Sequence, residues 1–127
     1  MEVTTHRGQG PLQQVIEIGP HRLLTDVSPA LGGEDSGPEP HDLLAAALAA
    51  CTTLTVSLYA KRKGYALDEV KVGIKHGQEG EAYALHRSIH YVGALSEEEK
   101  QRLTDIANKC PVHKTLSGKI QITTEAI

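Results

Sequence analysis

Residues 40–64 read PHDLLAAALAACTTLTVSLYAKRKG, and the stretch from Leu43 to Ala60 within them carries no charge. Pro40 suits a first helical turn, where its missing N–H costs nothing. Asp42 puts negative charge near the positive end of that helix. Lys61, Arg62 and Lys63 bring cations to the other end, and Gly64 follows as a stop. The stretch therefore predicts one helix from Pro40 to Lys63, about 35 Å long. Leu43, Ala47, Cys51, Leu54 and Leu58 share a face through spacings of three and four. Leu44, Leu48, Thr55 and Tyr59 lie alongside, and most remaining positions are Ala or Thr. A helix apolar nearly all round needs cover on every side, and one small sheet covers only one. A second copy of the chain is the simplest completion, so an obligate homodimer is expected. The uncharged run approaches the length of a membrane span. Its alanines, with Thr52, Thr53, Thr55 and Ser57, read instead as a buried helix of a soluble protein with no membrane partner.

Strand patterns flank this helix. Leu12 to Ile18 has β-branched residues in partial alternation, Gly19-Pro20 breaks it, and His21 to Asp26 returns as a paired strand. Ser28 to Glu39 is a loop rich in Gly, Pro and acids. After Gly64, Val70, Val72 and Ile74 alternate. A turn is expected over Gly77–Gly80, and Tyr83, Leu85, Arg87, Ile89 and Tyr91 alternate on the return. Ser96 and Glu99 have capping-box spacing ahead of a helix that runs to about Asn108. Cys110-Pro111 opens a shorter helix ended by Gly118, and Lys119 to Ala126 reads as a closing strand with Ile120 and Ile122 on one face. No internal repeat interrupts this order. The 127 residues are expected to form a single domain of α+β class with a modest core.

Composition narrows the function. There is no Trp, no Phe and only four Tyr, so the core is aliphatic and bases would find few rings to stack on. A formal charge of -3 gives no reason to seek phosphate backbones, and no nucleic-acid partner is expected. The first fifteen residues hold no apolar core of a secretory signal, and a cytoplasmic location is expected. Phosphate-cradling and nucleophile-elbow glycine motifs are absent.

What remains is a pair of thiols in contrasting surroundings. Cys110 heads the string CPVHKTL at a helix start, with free backbone N–H groups and with His113 and Lys114 one turn on; all favour a thiolate. Cys51 lies in the apolar helix, where burial opposes ionisation. For Cys51 to act as a nucleophile, a cation must stabilise its anion, and Arg7, Arg22 and Arg87 are the candidates on strand-like segments. His41, His113, Cys51 and Cys110 form a conceivable zinc set, but only Cys110 and His113 are spaced like ligands, and no metal is expected.

These motifs resemble a known family. Residues 37–44, GPEPHDLL, with the alanines up to Cys51-Thr52, resemble the first cysteine motif of the OsmC/Ohr family, and CPVHKTL at 110–116 is similar to its second. The intervening strands and helix fall in the family's order, and the resemblance covers nearly the whole chain. It implies an α+β OsmC-like fold, with antiparallel sheets packed around a long central helix in an intertwined homodimer. It also implies thiol-dependent reduction of organic hydroperoxides, and for some members of hydrogen peroxide, as part of an antioxidant stress response. Cys51 would attack the peroxide and Cys110 would resolve the sulfenic acid as a disulfide, which an external dithiol reductant resets; no cofactor is needed. In the hydroperoxide-reductase branch a Glu ten residues before the first cysteine holds an active-site Arg. Here that position is His41, with Asp42 beside it and Glu39 two residues earlier. Arg7 is the preferred match for the Arg and Arg22 the runner-up. The departure resembles the less characterised OsmC-like branch. The alternative function is therefore a catalytically weak protein that binds a small hydrophobic ligand at its dimer interface.

Overall fold

A computed structural model describes residues 1–127, which divide into two compact units, Met1–Leu44 and Ala45–Ile127. In the first unit, β1 (Val3–Arg7), β2 (Gln14–Ile18) and β3 (His21–Thr25) form an antiparallel meander in that order. Val15 on the central strand pairs with His6 on one side and Leu24 on the other, and Val15 and Ile16 are the buried apolar pair of this sheet. The loop that follows is ordered by one carboxylate. Asp26 accepts hydrogen bonds from the Val27, Glu34 and Ser36 N–H groups and from the Ser36 hydroxyl. The Ser36 hydroxyl and the Val27 and Ser36 amides outweigh burial and hold the Asp26 carboxyl at about 2, below its usual 3.8.

The predicted helix is present as α1 (Pro40–Lys63), and the boundary between the units falls within it, after Leu44. Its length and composition alone would let it cross a membrane. Its buried residues, Ala45, Leu48, Thr52, Val56, Tyr59 and Ala60, nevertheless recur at helical spacing as the stripe of a helix lying on a core. That stripe is not the leucine-rich face. Leu54 and Leu58 are 62% and 66% exposed. The buried stripe accommodates Thr52 and Tyr59 because both find partners: the Thr52 hydroxyl donates to the Leu48 carbonyl, and the Tyr59 oxygen accepts from Arg102 Nε.

The rest of the second unit is β4 (Leu67–Glu79), β5 (Ala82–Gly93), α2 (Glu97–Ala107) and α3 (Pro111–Ser117). The hairpin runs further than its sequence predicts. Glu79 pairs with Ala82, so only Gly80 and Glu81 make the turn. Gly80 supplies the positive φ of 60° that such a tight connection needs, which frees Gly77 to stay in the strand. Val56, Tyr59, Ala60, Val70, Leu103 and Ala107 form the core, with Val72, Ile89 and Tyr91 of the hairpin packed on it. Leu103 is wholly buried, which contributes roughly 1.5–3 kcal/mol relative to an exposed side chain. The capping box is present: Ser96 Oγ accepts from the Glu99 N–H, and Glu99 Oε1 accepts from the Ser96 N–H.

One expectation fails. Residues 119–127 form no strand, and Ile122 is exposed. Alternation supplies a face, but a strand also needs a neighbour for its N–H and C=O groups, and none in the chain pairs with this segment.

Candidate active site

The two cysteines, 59 positions apart in the chain, meet in the second unit. α1 brings Cys51 to the start of α3, and the Val112 N–H donates to Cys51 Sγ at 3.4 Å. Cys110 caps that short helix: its Sγ accepts from the His113 N–H at 3.3 Å. Both sulfurs therefore sit against the first turn of α3, and both cysteines are free. Their environments invert the expectation from sequence. Cys110, at the helix start, is completely buried, whereas Cys51 is only half-buried. Burial pushes the Cys51 thiol up. The Val112 N–H, the Cys110 thiol, the Thr55 hydroxyl and the charge of Arg87 together push harder the other way. The net result is ionisation below the ordinary 9.0.

Arg87 reaches this site from β5. Its Nη1 donates to Thr52 Oγ1, and its Nη2 donates to Asn108 Oδ1 and to His113 Nδ1, each at 2.9 Å. Because the guanidinium can only donate, His113 presents a lone pair at Nδ1 and carries its proton on Nε2. Thr52 Oγ1 in turn lies 3.9 Å from Cys110 Sγ. Thr52 and Asn108 were not among the residues singled out from sequence. Arg87 was one of three arginines open for the role, and its position held a usable signal. It occupies the apolar phase of an alternating strand, between Leu85 and Ile89, where a charge needs partners inside.

Arg7, Arg22, Glu39 and Asp42 all belong to the first unit. Arg7 and Arg22 border one cleft of about 610 Å³ together with His6. Asp42 acts at the start of α1, where its carboxylate accepts from the Glu39 N–H at 3.2 Å. In the second unit, a cleft of about 360 Å³ opens beside the thiols between Thr55, Leu58, Ile106 and Pro111, and Arg62 and Lys109 also line it. Thr55 Oγ1 lies 3.9 Å from Cys51 Sγ, so one lining residue of this cleft touches the half-buried sulfur.

The profile of the OsmC-like protein family matches residues 33–125. Among solved structures, the OsmC-like protein of Mycoplasma pneumoniae superposes with a TM-score of 0.73 at 23% identity, covering 92% of this chain and 86% of that one. The organic hydroperoxide resistance protein OsmC of Legionella pneumophila gives 0.67 at 23% identity over 92% and 88%. The organic hydroperoxide resistance protein of Elizabethkingia anophelis, solved with thiocyanate bound, gives 0.67 at 24% identity over 94% and 89%. These likenesses establish the fold. No curated protein matches the chain.

Proposed function

The chain belongs to the OsmC-like family, and from that premise we propose that it is a cytoplasmic, thiol-dependent peroxidase that reduces organic hydroperoxides. The observation that carries this reading is the pair of free thiols gathered at the first turn of α3, the half-buried one in contact with a cleft-lining residue and the other completely buried. The sulfur that meets a peroxide must be reachable, and the sulfur that resolves it is best kept from bulk oxidants. Cys51 and Cys110 answer to those two demands respectively.

The chemistry balances without a cofactor. The Cys51 thiolate attacks the distal oxygen of ROOH; the O–O bond breaks, an S–O bond forms, and the departing alkoxide takes a proton to leave as ROH. Cys110 then attacks the sulfenic sulfur, water leaves, and a Cys51–Cys110 disulfide forms. An external dithiol reduces it and is itself oxidised to a disulfide. The apolar lining of Leu58, Ile106 and Pro111 favours an organic hydroperoxide over hydrogen peroxide. The family pattern would draw the guanidinium from Arg7, or else Arg22, with Asp42 or Glu39 as its carboxylate, and the reading stands whichever arginine supplies the charge. The exposed Leu54 and Leu58 support assembly as a homodimer.

Mass spectrometry after one equivalent of cumene hydroperoxide tests the reading. A loss of two hydrogens mapped to a Cys51–Cys110 crosslink is expected, and Cys51→Ser should abolish peroxide consumption with a dithiol reductant. Full turnover by Cys51→Ser would sink it. The same cleft suits the alternative, a catalytically weak protein holding a small hydrophobic ligand. Silence in the peroxide assay together with an apolar ligand retained through purification would favour that alternative.

A further inference from the structure

The three recorded partners of Arg87 share one property. Thr52, Asn108 and the Nδ1 face of His113 are all neutral acceptors, and no carboxylate joins them. An arginine in a protein is always charged. Ringed by neutral groups, its charge stays uncompensated, and partial burial leaves it less screened than a surface charge. The node is also tied to both thiols through the chain itself. Thr52 follows Cys51 directly, Asn108 stands two residues before Cys110, and His113 stands three after it. The bonds that fix the guanidinium therefore fix α1, the end of α2 and the start of α3 around it. An uncompensated cation held this firmly is most stable when an anion forms nearby, and Cys51 is at hand: Arg87 is hydrogen-bonded to Thr52, the next residue, and to His113, whose neighbour Val112 donates its N–H to Cys51 Sγ at 3.4 Å.

We infer that Arg87 is the positioning residue whose free charge holds the Cys51 sulfur as its anion, in place of an arginine from the N-terminal strands. The inference takes Cys51 as the attacking thiol from the reading above. Its role changes through the cycle. Before attack, the guanidinium faces a thiolate; once the peroxide oxygen is transferred and the sulfur becomes a neutral sulfenic acid, that attraction is gone. Cys51 is then held only by its amide and hydroxyl contacts when Cys110 displaces the hydroxyl as water.

The test is the ultraviolet titration of the thiolate in Cys110→Ser, which leaves one thiol and keeps a hydroxyl donor beside it. Arg87→Gln should raise the titration midpoint measurably, as the loss of a nearby opposite charge does, and Arg87→Lys should fall between. Asn108→Asp separates electrostatics from scaffolding. It gives the guanidinium a carboxylate partner, so a purely structural Arg87 would clamp more tightly, with the melting temperature up and the midpoint unmoved. If Arg87 works through its free charge, the midpoint rises although the fold is no weaker. The rise should also be smaller when Arg87→Gln is already present, as a double-mutant cycle will read. An unchanged midpoint in a folded Arg87→Gln protein would overturn the inference. Should Arg87→Gln not fold, an unmoved midpoint in Asn108→Asp overturns it equally, and so does a rise produced by Arg7→Gln or Arg22→Gln instead. The titration needs no turnover. A shifted midpoint in protein that consumes no peroxide therefore counts against the peroxidase reading alone, and turnover with an unmoved midpoint counts against Arg87 alone.

Discussion

Thr52 is the smallest group on which the site depends. Its single oxygen donates to the Leu48 carbonyl at 2.7 Å, accepts from Arg87 at 2.9 Å and touches Cys110, all in complete burial. Thr52→Val keeps the shape and removes the oxygen. Arg87 then loses one of its three anchors, and a part-buried donor is left unmet at a cost of about 1–3 kcal/mol. Denaturant melts should show that loss, and the Cys51 titration should move up because the guanidinium is no longer pinned; a melt and midpoint like wild type would refute the role given to Thr52. The direction of the Cys51 shift also sets the pH dependence. Its folded-state pKa is depressed, so its contribution to stability is present above the ordinary 9.0 and is lost as pH falls through the folded value. Peroxide consumption should follow the thiolate, rising with pH and levelling off below 9.0. A rate still climbing beyond that point would contradict the assignment of Cys51 as the nucleophile. Cys110→Ser should leave the first oxidation intact and halt the cycle at a sulfenic acid that dimedone traps.

The elements divide sharply in how far their sequence announced them. α1 was legible to its ends, because proline, the acidic first turn, the basic last turn and Gly64 all act locally. The capping box of α2 was legible for the same reason, and Ser96→Ala should cost about 1 kcal/mol in a thermal melt, whereas no loss would mean the cap is idle. The side of α1 that faces the core was not legible. Leu54 and Leu58 outrank Thr52 in apolarity, yet Thr52 is inside because Arg87 and the Leu48 carbonyl meet its oxygen, and those partners come from distant sequence or from backbone. The relative burial of the two cysteines was inverted for a similar reason: local sequence shows a helix start at Cys110 but not the elements that close over it. The loop ordered by Asp26 is a third case, since its four donors come from residues up to ten positions away. Its carboxyl is depressed to about 2, so its stabilising contribution is complete above 3.8 and disappears as pH falls through about 2. The difference in melting temperature between wild type and Asp26→Asn should therefore narrow across that window, and a constant difference would show that the carboxylate charge is not what orders the loop.

At the scale of the whole molecule, the open question is what covers the leucine face of α1. The side chains of Leu54 and Leu58 stand mostly in solvent, on a helix whose opposite stripe is fully occupied. Two neighbouring leucines in water forgo roughly 1.5–3 kcal/mol of burial each, and an isologous contact between two copies would recover it on both sides at once. Light scattering should accordingly give a mass of twice 13.7 kDa for the wild type. Leu54→Gln with Leu58→Gln should give the single-chain mass with little change in secondary structure, because neither residue belongs to the core of its own chain. A double variant that stays dimeric would place the interface elsewhere. The separated chain also offers an independent reading of the thiol site. Cys51, Cys110, Thr52, Arg87, Asn108 and His113 come together within residues 45–127 of one chain. If Arg87 supplies the charge, the monomer keeps the Cys51 titration midpoint of the dimer. If an arginine of a second copy supplies it, dissociation raises the midpoint, and assembly rather than the fold of one chain makes the nucleophile.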